Sequence, residues 1–173
     1  QLMRIGILNS GGDCPGLNAV IHGVVGAADQ LGWEVIGFRD GFEGLLPPGD
    51  YAVLDPKSTA GILKLGGTIL GTHNRADPFA YFGAGGADVS AAALAYIAEL
   101  GLDSLVVIGG DGSMAIADRF SRLGLPIVGI PKTIDNDLYY TDRSFGFDTA
   151  VATAADALGR LETTGQSHCR VMI

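Results

Sequence analysis

Apolar runs that alternate with helical patterns constrain the fold of this chain more than any other feature. Five runs are almost continuously apolar, which is typical of parallel strands that are buried on both faces of a sheet. They span residues 3–8, 33–38, 104–108, 126–130 and 170–173. Helical patterns lie between them, at residues 15–31, 89–100, 113–123 and 148–162. This order predicts an α/β fold, a Rossmann-like three-layer αβα sandwich with a mostly parallel sheet.

The segments that join these elements carry further expectations. Asp13 is the predicted N-cap of the first helix, and Gly32 is its predicted end. Residues 39–56 and 68–87 are rich in Gly, Pro and aromatic residues, and both are predicted to be long loops. No helical pattern follows the last apolar run. Because an α/β domain covers both faces of its sheet, we expect the chain to be part of a longer protein.

The charge and the cysteine content narrow the class of partner. Acidic residues outnumber basic residues, 19 to 11, which gives a net charge of −8. Binding to nucleic acid or to an anionic membrane depends on Lys and Arg, so neither partner is expected. No apolar run reaches the roughly 18 residues of a membrane span. Cys14 and Cys169 fit no metal-ligand spacing, and this usage is typical of a reduced, cytoplasmic protein.

Three loops with glycine pairs or dense polar residues follow predicted strands. They are LNSGGDCPG at 8–16, VVIGGDGSMA at 106–115 and GIPKTIDND at 129–137. In open α/β sheets, ligands bind outside the carboxyl ends of the strands, so all three loops should border one crevice. Adjacent glycines let the backbone approach a phosphate, and the N-terminus of the following helix adds amide donors. The loops therefore predict a phosphate-binding site.

Each loop taken alone also has a simpler explanation. The first could be a tight turn in which Asp13 only caps a helix. The second could be a helix start that is capped by Asp111 or Ser113, and the third could be a solvated loop. The GGDG stretch is hard to explain by turn chemistry, because Gly112 leaves room for a ligand where any Cβ would intrude.

The polar residues of these loops suit phosphoryl transfer. This chemistry needs amide donors around phosphates, a metal ion to offset charge, a base for the acceptor hydroxyl and a cation near the transferring group. The glycine loops would supply the amides, and Asp111 with Asp137 would hold Mg²⁺, usually through waters. Asp135 would accept the proton, and Lys132 or Arg75 would be the cation.

Several motifs of this chain resemble those of the 6-phosphofructokinase family. SGGDCPGLNA at 10–19 is similar to the family's nucleotide loop, GGDGS at 109–113 to its phosphate and Mg²⁺ loop, and PKTIDND at 131–137 to its catalytic loop. GGTILGT at 66–72, FGFDTA at 145–150 and SHCR at 167–170 also stand in the family's order. The resemblance implies a phosphofructokinase-type fold in which residues 1–173 form the N-terminal, donor-binding domain. A second, sugar-phosphate half is then absent from the chain.

The resemblance also implies an activity. The family transfers a phosphoryl group from ATP or pyrophosphate to the 1-hydroxyl of fructose 6-phosphate, a step of glycolysis. Asp135 would be the base, Thr133 would contact the reacting end of the sugar phosphate, and Lys132 would stabilise the transferring group. The donor phosphates would be contacted by Gly11, Gly12, Arg75, Gly110, Asp111, Gly112 and Ser113. The loop at 71–77 is one residue longer than that of the common bacterial enzymes, so either Asn74 or Arg75 could fill the role of the arginine that bridges donor and product phosphates.

Two further implications concern the metal and the assembly. Asp111 would bind Mg²⁺, and Asp137 would help to order it. Arg170 resembles the arginine that reaches the sugar 6-phosphate of a neighbouring subunit. The resemblance therefore implies a homo-oligomer, a dimer or a tetramer, with shared sites.

Two positions disagree on the phosphoryl donor. Pyrophosphate-dependent relatives typically carry Asp at the position of Gly112, where a carboxylate would crowd and repel the α-phosphate of ATP. They also typically carry the lysine that is present here as Lys132. Gly112 is given more weight, because steric exclusion at the α-phosphate is a direct filter and a lysine can serve either donor. The sequence therefore predicts ATP, with pyrophosphate as the alternative.

Other classes of function also fit part of the sequence. A lipid- or NAD-kinase-like enzyme uses a GGDG loop as well, but it lacks the TIDND stretch. A nucleotide-sensing domain would keep the fold without turnover, and the intact Asp111, Asp135 and Asp137 count against it. Of the other reactive side chains, His73 is expected to be an exposed bystander and Cys14 a small packed residue.

Overall fold

The computed structural model describes residues 2–173. Five strands form one sheet: β1 (Arg4–Asn9), β2 (Glu34–Phe38), β3 (Tyr51–Leu54), β4 (Ser104–Gly109) and β5 (Ile127–Pro131). The α-helices are α1 (Leu17–Gln30), α2 (Ser90–Glu99), α3 (Asp111–Arg122) and α4 (Phe147–His168). Short 3₁₀ turns lie at Gly41–Leu45, Ile62–Lys64 and Phe82–Ala84. All four predicted helices and four of the five predicted strands are therefore present.

The strand order confirms the predicted mostly parallel sheet. The order across the sheet is β3-β2-β1-β4-β5. β2, β1, β4 and β5 run parallel to one another, and only β3 is antiparallel to its neighbour. Because β1, β4 and β5 are adjacent and parallel, the loops that follow them leave the sheet at the same edge.

Helices cover both faces of the sheet. Ile7 and Leu8 are neighbours on β1, are fully buried, and point to opposite faces. Ile7 lies in a core that includes Ile21 of α1. Leu8 lies in a second core that includes Ile97 of α2 and Phe120 of α3. One helix on one face and two on the other make the three-layer αβα sandwich that the sequence predicts.

The antiparallel strand β3 lies inside residues 39–56, which the sequence predicts to be a loop. Tyr51 and Val53 are exposed, whereas Leu54 is buried. Its four residues, YAVL, are all apolar, but the run is short and stands between PPGD and DPKS, whose Pro and Gly residues favour a loop. The loop prediction for this part of the chain is therefore wrong.

The prediction of a strand at residues 170–173 is also wrong. Cys169 ends α4 with a left-handed backbone (φ 48°), and the N–H of Arg170 donates to the carbonyl oxygen of Gly165 at 2.9 Å. A Cβ on Gly165 would lie 3.7 Å from Cγ of Met172. These contacts turn residues 170–173 back along α4, so they pair with no strand of the sheet.

Two helix starts differ from the predictions. Gly16 precedes α1 with a left-handed backbone (φ 101°), and no side chain caps this helix. The prediction that Asp13 is the N-cap is therefore wrong. Helix α3 begins at Asp111 and likewise has no side-chain cap. The simpler explanation of the second loop, that Asp111 or Ser113 caps the helix, is therefore wrong.

Helix α4 differs from the other three helices in its burial. None of its residues is buried, and Leu158 and Leu161 are exposed. Among residues 2–173, no helix combines the length and the apolar character needed to cross a membrane.

Candidate active site

A cleft of about 650 Å³ opens at the carboxyl ends of β1, β4 and β5. It is bordered by the three loops that the sequence singles out and by part of the predicted loop at 68–87. Nine of the predicted site residues line it: Gly11, Gly12, Arg75, Gly110, Gly112, Ser113, Lys132, Thr133 and Asp135. The prediction that the loops border one crevice is confirmed.

The first loop is fixed to its neighbours through its carbonyl groups. Thr72 Oγ1 donates to the carbonyl oxygen of Gly11 at 2.6 Å, and Lys132 Nζ donates to that of Gly12 at 2.5 Å. The N–H of Gly11 donates to the carbonyl oxygen of His73 at 3.2 Å. The N–H of Gly12 has no acceptor among residues 2–173. The amide of Gly12, rather than that of Gly11, is therefore the free donor of this loop.

At two positions of the cleft, neither packing nor backbone conformation requires a glycine. A Cβ on Gly12 or on Gly112 would meet nothing within 4 Å, and neither residue has a positive φ. Gly109 is different, because a Cβ there would lie 2.3 Å from Cβ of Ser113. Packing thus requires a glycine at 109 but not at 12 or 112. The open space above Gly12 and Gly112 lies inside the cleft, where a bound group needs it.

The N-terminus of α3 supplies amide donors to the same cleft. The helix starts at Asp111, and Gly110, Gly112 and Ser113 line the cleft. The first N–H groups of a helix have no acceptor within the helix, and the helix dipole favours a negative charge beside them. This end of α3 is therefore suited to a phosphate group.

Lys132 lies underneath the cleft rather than at its mouth. Its side chain is buried, with 5% of the residue exposed, and its backbone N–H donates to the carbonyl oxygen of Gly109 at 2.9 Å. Burial lowers the pKa of Lys132, whereas the charges of Cys14 and Asp13 oppose that shift. Lys132 thus contacts both glycine loops, through its backbone and through its ammonium group.

Thr133 and two aspartates form a small hydrogen-bonded turn. Thr133 Oγ1 accepts the N–H of Asp135 at 3.1 Å and donates to Oδ1 of Asp137 at 2.9 Å. The carboxylate of Asp135 has no hydrogen-bond partner among residues 2–173, and it lines the cleft. Asp135 is therefore the carboxylate of this turn that is free to accept a proton.

Asn136 and Ser144 hold this turn in place, and the sequence does not predict this role for either residue. Asn136 has a left-handed backbone (φ 54°), and its Oδ1 accepts the N–H of Ser144 at 2.7 Å. The hydroxyl of Ser144 donates to the carbonyl oxygen of Thr133 at 2.6 Å. Ser144 is buried, with 3% exposed. Its role depends on a contact across eleven residues of irregular chain, which no motif reveals.

A second arginine, in addition to Arg75, lines the cleft. Arg119 is on α3, and its guanidinium carbon lies 3.7 Å from the ring centre of Phe79. Arg119 is not predicted from the sequence as a site residue. Helical spacing is a signal that could have found it, because Gly112, Ile116 and Arg119 are at i, i+4 and i+7 and all three line the cleft. Arg75, Arg119 and Lys132 together give the cleft three cations.

Three predicted site residues are not part of this lining. Asp111 begins α3 beside the lining residues Gly110 and Gly112, and Asp137 is held by Thr133. Arg170 lies in a different place, in a groove against α4 that also includes Leu158 and Leu161. The structure therefore brings nine of the predicted site residues together in one cleft and leaves Arg170 away from them.

The fit of Mg²⁺ depends on the carboxylates at the cleft. Among the described residues, no group of three or more His, Cys, Asp and Glu is arranged to hold a metal ion. Mg²⁺ in phosphoryl-transfer sites is commonly bound by one or two carboxylates, by waters and by substrate phosphates, so it does not require such a group. Asp111, at the N-terminus of α3, and Asp137 each have a carboxylate, which is the kind of protein ligand that Mg²⁺ takes.

Cys14 is a packed residue, as the sequence predicts. It is buried with 1% exposed, and its Sγ lies 3.3 Å from the carbonyl oxygen of Phe145. Burial raises the pKa of the Cys14 thiol. A thiol with a raised pKa carries little thiolate at neutral pH, so it is a poor nucleophile.

Comparison with known proteins agrees with these observations. The family model for phosphofructokinase matches residues 4–173. The ATP-dependent 6-phosphofructokinase of Chloroflexus aggregans is 53% identical over 176 residues, which cover 98% of this chain and 48% of that protein. ATP-dependent 6-phosphofructokinase 3 of Streptomyces coelicolor is 55% identical over 172 residues, covering 99% of this chain and 48% of that protein.

A solved structure shows the same fold. Phosphofructokinase from Saccharomyces cerevisiae matches with a TM-score of 0.80 and 30% sequence identity, over 97% of this chain and 25% of that chain. The chain spans about half the length of the curated relatives it matches. The matched residues include all three loops of the cleft. The chain belongs to the phosphofructokinase family.

Proposed function

We propose that the full-length protein transfers a phosphoryl group from ATP to the 1-hydroxyl of fructose 6-phosphate, giving fructose 1,6-bisphosphate in cytoplasmic glycolysis. One observation carries the proposal. A single cleft combines a free amide on Gly12, the N-terminus of α3, three cations and the unpaired carboxylate of Asp135. The names of the relatives, ATP-dependent 6-phosphofructokinases, support the same substrates.

The donor phosphates would occupy the side of the cleft between the two glycine loops. The amide of Gly12 and the first amides of α3 would donate to phosphate oxygens, in the open space above Gly12 and Gly112. Arg75, which also lines the cleft, would pair with the phosphates. These groups are fixed by the protein before the donor binds, which favours catalysis by electrostatic stabilisation.

Asp135 would act on the acceptor. Its carboxylate would take the proton of the 1-hydroxyl as that oxygen forms a bond to the γ-phosphorus. The bond from the γ-phosphorus to the bridging oxygen breaks at the same stage, and ADP leaves. Lys132 would stabilise the charge near the transferring group from below the glycine loops. Thr133 would orient the turn and contact the reacting end of the sugar.

Asp111 and Asp137 would hold Mg²⁺. The ion would offset the negative charge of the donor phosphates. The hydrogen bond from Thr133 to Oδ1 of Asp137 would leave the other carboxylate oxygen free for a water of the ion.

The sugar 6-phosphate would be bound in part by Arg170. In this chain Arg170 lies against α4, away from the cleft. We therefore propose that it serves the site of a neighbouring subunit in a homo-oligomer.

ATP is proposed as the donor rather than pyrophosphate. Gly112 leaves its space open, and a carboxylate there would repel the α-phosphate. The presence of Lys132 is weaker evidence for pyrophosphate. Its ammonium group donates a hydrogen bond to the Gly12 carbonyl, and this contact would be needed with either phosphoryl donor. The test is the rate of fructose 1,6-bisphosphate formation by the full-length protein with each donor at equal Mg²⁺. We expect a higher kcat/KM with ATP, and a preference for pyrophosphate would refute the choice of donor.

A further inference from the structure

The segment at 71–77 is attached to the first glycine loop through two of its residues. Thr72 donates to the carbonyl oxygen of Gly11, and the N–H of Gly11 donates to the carbonyl oxygen of His73. Ser10 and His73 form a parallel bridge between the two segments. The next residues, Asn74 and Arg75, line the cleft. His73 is thus the last residue of the segment that is anchored before the chain enters the cleft.

The ring of His73 has a defined contact on each side. Its Nδ1 accepts the backbone N–H of Arg75 at 3.0 Å, and its Nε2 lies 3.7 Å from Oε2 of Glu43. The ring stacks on Phe82, with the centres 5.3 Å apart and the planes 4° from parallel. Glu43 is itself held by the hydroxyl of Tyr81 at 3.2 Å. His73 is therefore not the exposed bystander that the sequence predicts.

These contacts also fix the chemical form of the ring. A ring nitrogen that accepts a hydrogen bond carries no proton, so the proton of a neutral His73 is on Nε2. There it faces the carboxylate of Glu43, which favours this tautomer. The accepting nitrogen is then directed at the backbone of Arg75.

The same aromatic ring supports the side chain of Arg75. The guanidinium carbon of Arg75 lies 5.7 Å from the ring centre of Phe82, within the range of a cation–π contact. His73 therefore contacts Arg75 directly through the backbone and indirectly through Phe82. Arg119 also contacts an aromatic ring, that of Phe79, whereas Lys132 contacts the carbonyl oxygen of Gly12.

We propose that His73 is a positioning residue that sets the backbone of Arg75 for the donor phosphates by accepting its N–H at Nδ1. The proposal rests on the proposed function, because it takes Arg75 as a donor-phosphate ligand. His73 does not line the cleft, so it acts through Arg75 rather than by touching the donor.

Two amide side chains separate this role from a purely structural one. The Oδ1 of asparagine reaches the position of Nδ1, whereas the polar end of glutamine reaches the position of Nε2. His73→Asn therefore keeps an acceptor for Arg75 and loses the contact with Glu43. His73→Gln keeps a partner for Glu43 and loses the acceptor for Arg75. Both variants lose the stack on Phe82, so they are matched in that respect.

The experiment measures the Kd of a non-hydrolysable ATP analogue, the KM for ATP and the KM for fructose 6-phosphate in the full-length protein. We expect His73→Gln to raise the Kd of the analogue and the KM for ATP by about 3- to 10-fold, the range for one hydrogen bond. The KM for fructose 6-phosphate should not change. His73→Asn should retain most of the donor affinity. Equal effects of the two variants, or a larger loss with Asn, would overturn the proposal.

A double-variant cycle tests whether His73 acts through Arg75. We expect His73→Gln to weaken donor binding in the wild-type background and to have no further effect in an Arg75→Ala background. Additive effects would contradict a role through Arg75. Failure of the wild-type protein to phosphorylate fructose 6-phosphate would refute the proposed function instead. Normal wild-type turnover together with an unaltered Kd in His73→Gln would refute the role of His73 but not the proposed function.

Discussion

Lys132 Nζ donates a hydrogen bond to the carbonyl oxygen of Gly12 at 2.5 Å, across 120 residues of sequence. This contact joins the loop that carries Asp135 to the first glycine loop. From the other side, Thr72 Oγ1 bonds the carbonyl oxygen of Gly11. The glycine loop is therefore held by its carbonyl groups, and the amide of Gly12 remains free to face the cleft.

Replacing Lys132 with methionine should impair both the loop and the chemistry. The side chains are similar in length, but Lys132→Met removes the cation and leaves the carbonyl oxygen of Gly12 without the ammonium group that donates to it. Removal of one charged donor from a transition-state site typically lowers kcat by about 10²–10³-fold. We expect a loss of this size in the steady-state kcat of the full-length enzyme.

The matched control is Lys57→Met, because Lys57 is exposed and lies outside the cleft. It should leave kcat unchanged. A Lys132→Met enzyme with near-normal kcat would show that neither the cation nor the contact with Gly12 matters for turnover.

A negative charge at position 112 should weaken the binding of ATP without affecting folding. A Cβ there meets nothing within 4 Å, so Gly112→Ala and Gly112→Asp should both fold with nearly unchanged Tm. The carboxylate of Gly112→Asp would repel the α-phosphate, and we expect it to raise the Kd of ATP by about 10-fold or more, equivalent to about 1.4 kcal/mol. Gly112→Ala is the control for size. Equal weakening by Ala and Asp would assign the effect to crowding, and no weakening by Asp would remove Gly112 from the donor site.

Replacement of Ser144 should lower kcat without changing the affinity for ATP. Ser144→Ala removes the hydroxyl that donates to the carbonyl oxygen of Thr133, in a buried position. The cost should be about 1–3 kcal/mol in the free energy of unfolding, measured by denaturant titration. Because the turn that carries Asp135 is released, kcat should fall by several-fold while the Kd of ATP stays constant. Ser121→Ala, at an exposed position of α3, should change neither quantity. A loss of stability with normal kcat would limit Ser144 to a structural role.

The sequence predicts much of the fold because the central strands are apolar on both faces. β1 and β4 each have five buried residues out of six, and this burial produces the continuous runs that mark parallel strands. The position of the loops follows from parallel topology, so the grouping of Gly12, Gly112 and Asp135 in one cleft could be predicted.

The errors arise where burial or local sequence carries little information. β3 is a short edge strand whose four apolar residues lie between the turn-forming stretches PPGD and DPKS, which favour a loop. Residues 171–173 are apolar, but the backbone there is directed by the left-handed Cys169, which the pattern does not reveal. Contacts between distant residues, such as Ser144 with Thr133 and Lys132 with Gly12, depend on tertiary structure alone.

The most direct test of the proposed reaction is the rate at which the full-length protein converts fructose 6-phosphate and ATP to fructose 1,6-bisphosphate, compared with the rate of its Asp135→Ser variant. Asp135 has the free carboxylate of the turn at 133–137, so under the proposed function its loss should lower kcat by about 10²–10⁴-fold, the usual scale for a positioned base. The Kd of ATP should change little, because Asp135 is not among the groups assigned to the donor. A wild-type enzyme that forms fructose 1,6-bisphosphate and a variant that has lost this activity but still binds ATP are the predicted result. A variant with near-wild-type kcat would contradict it.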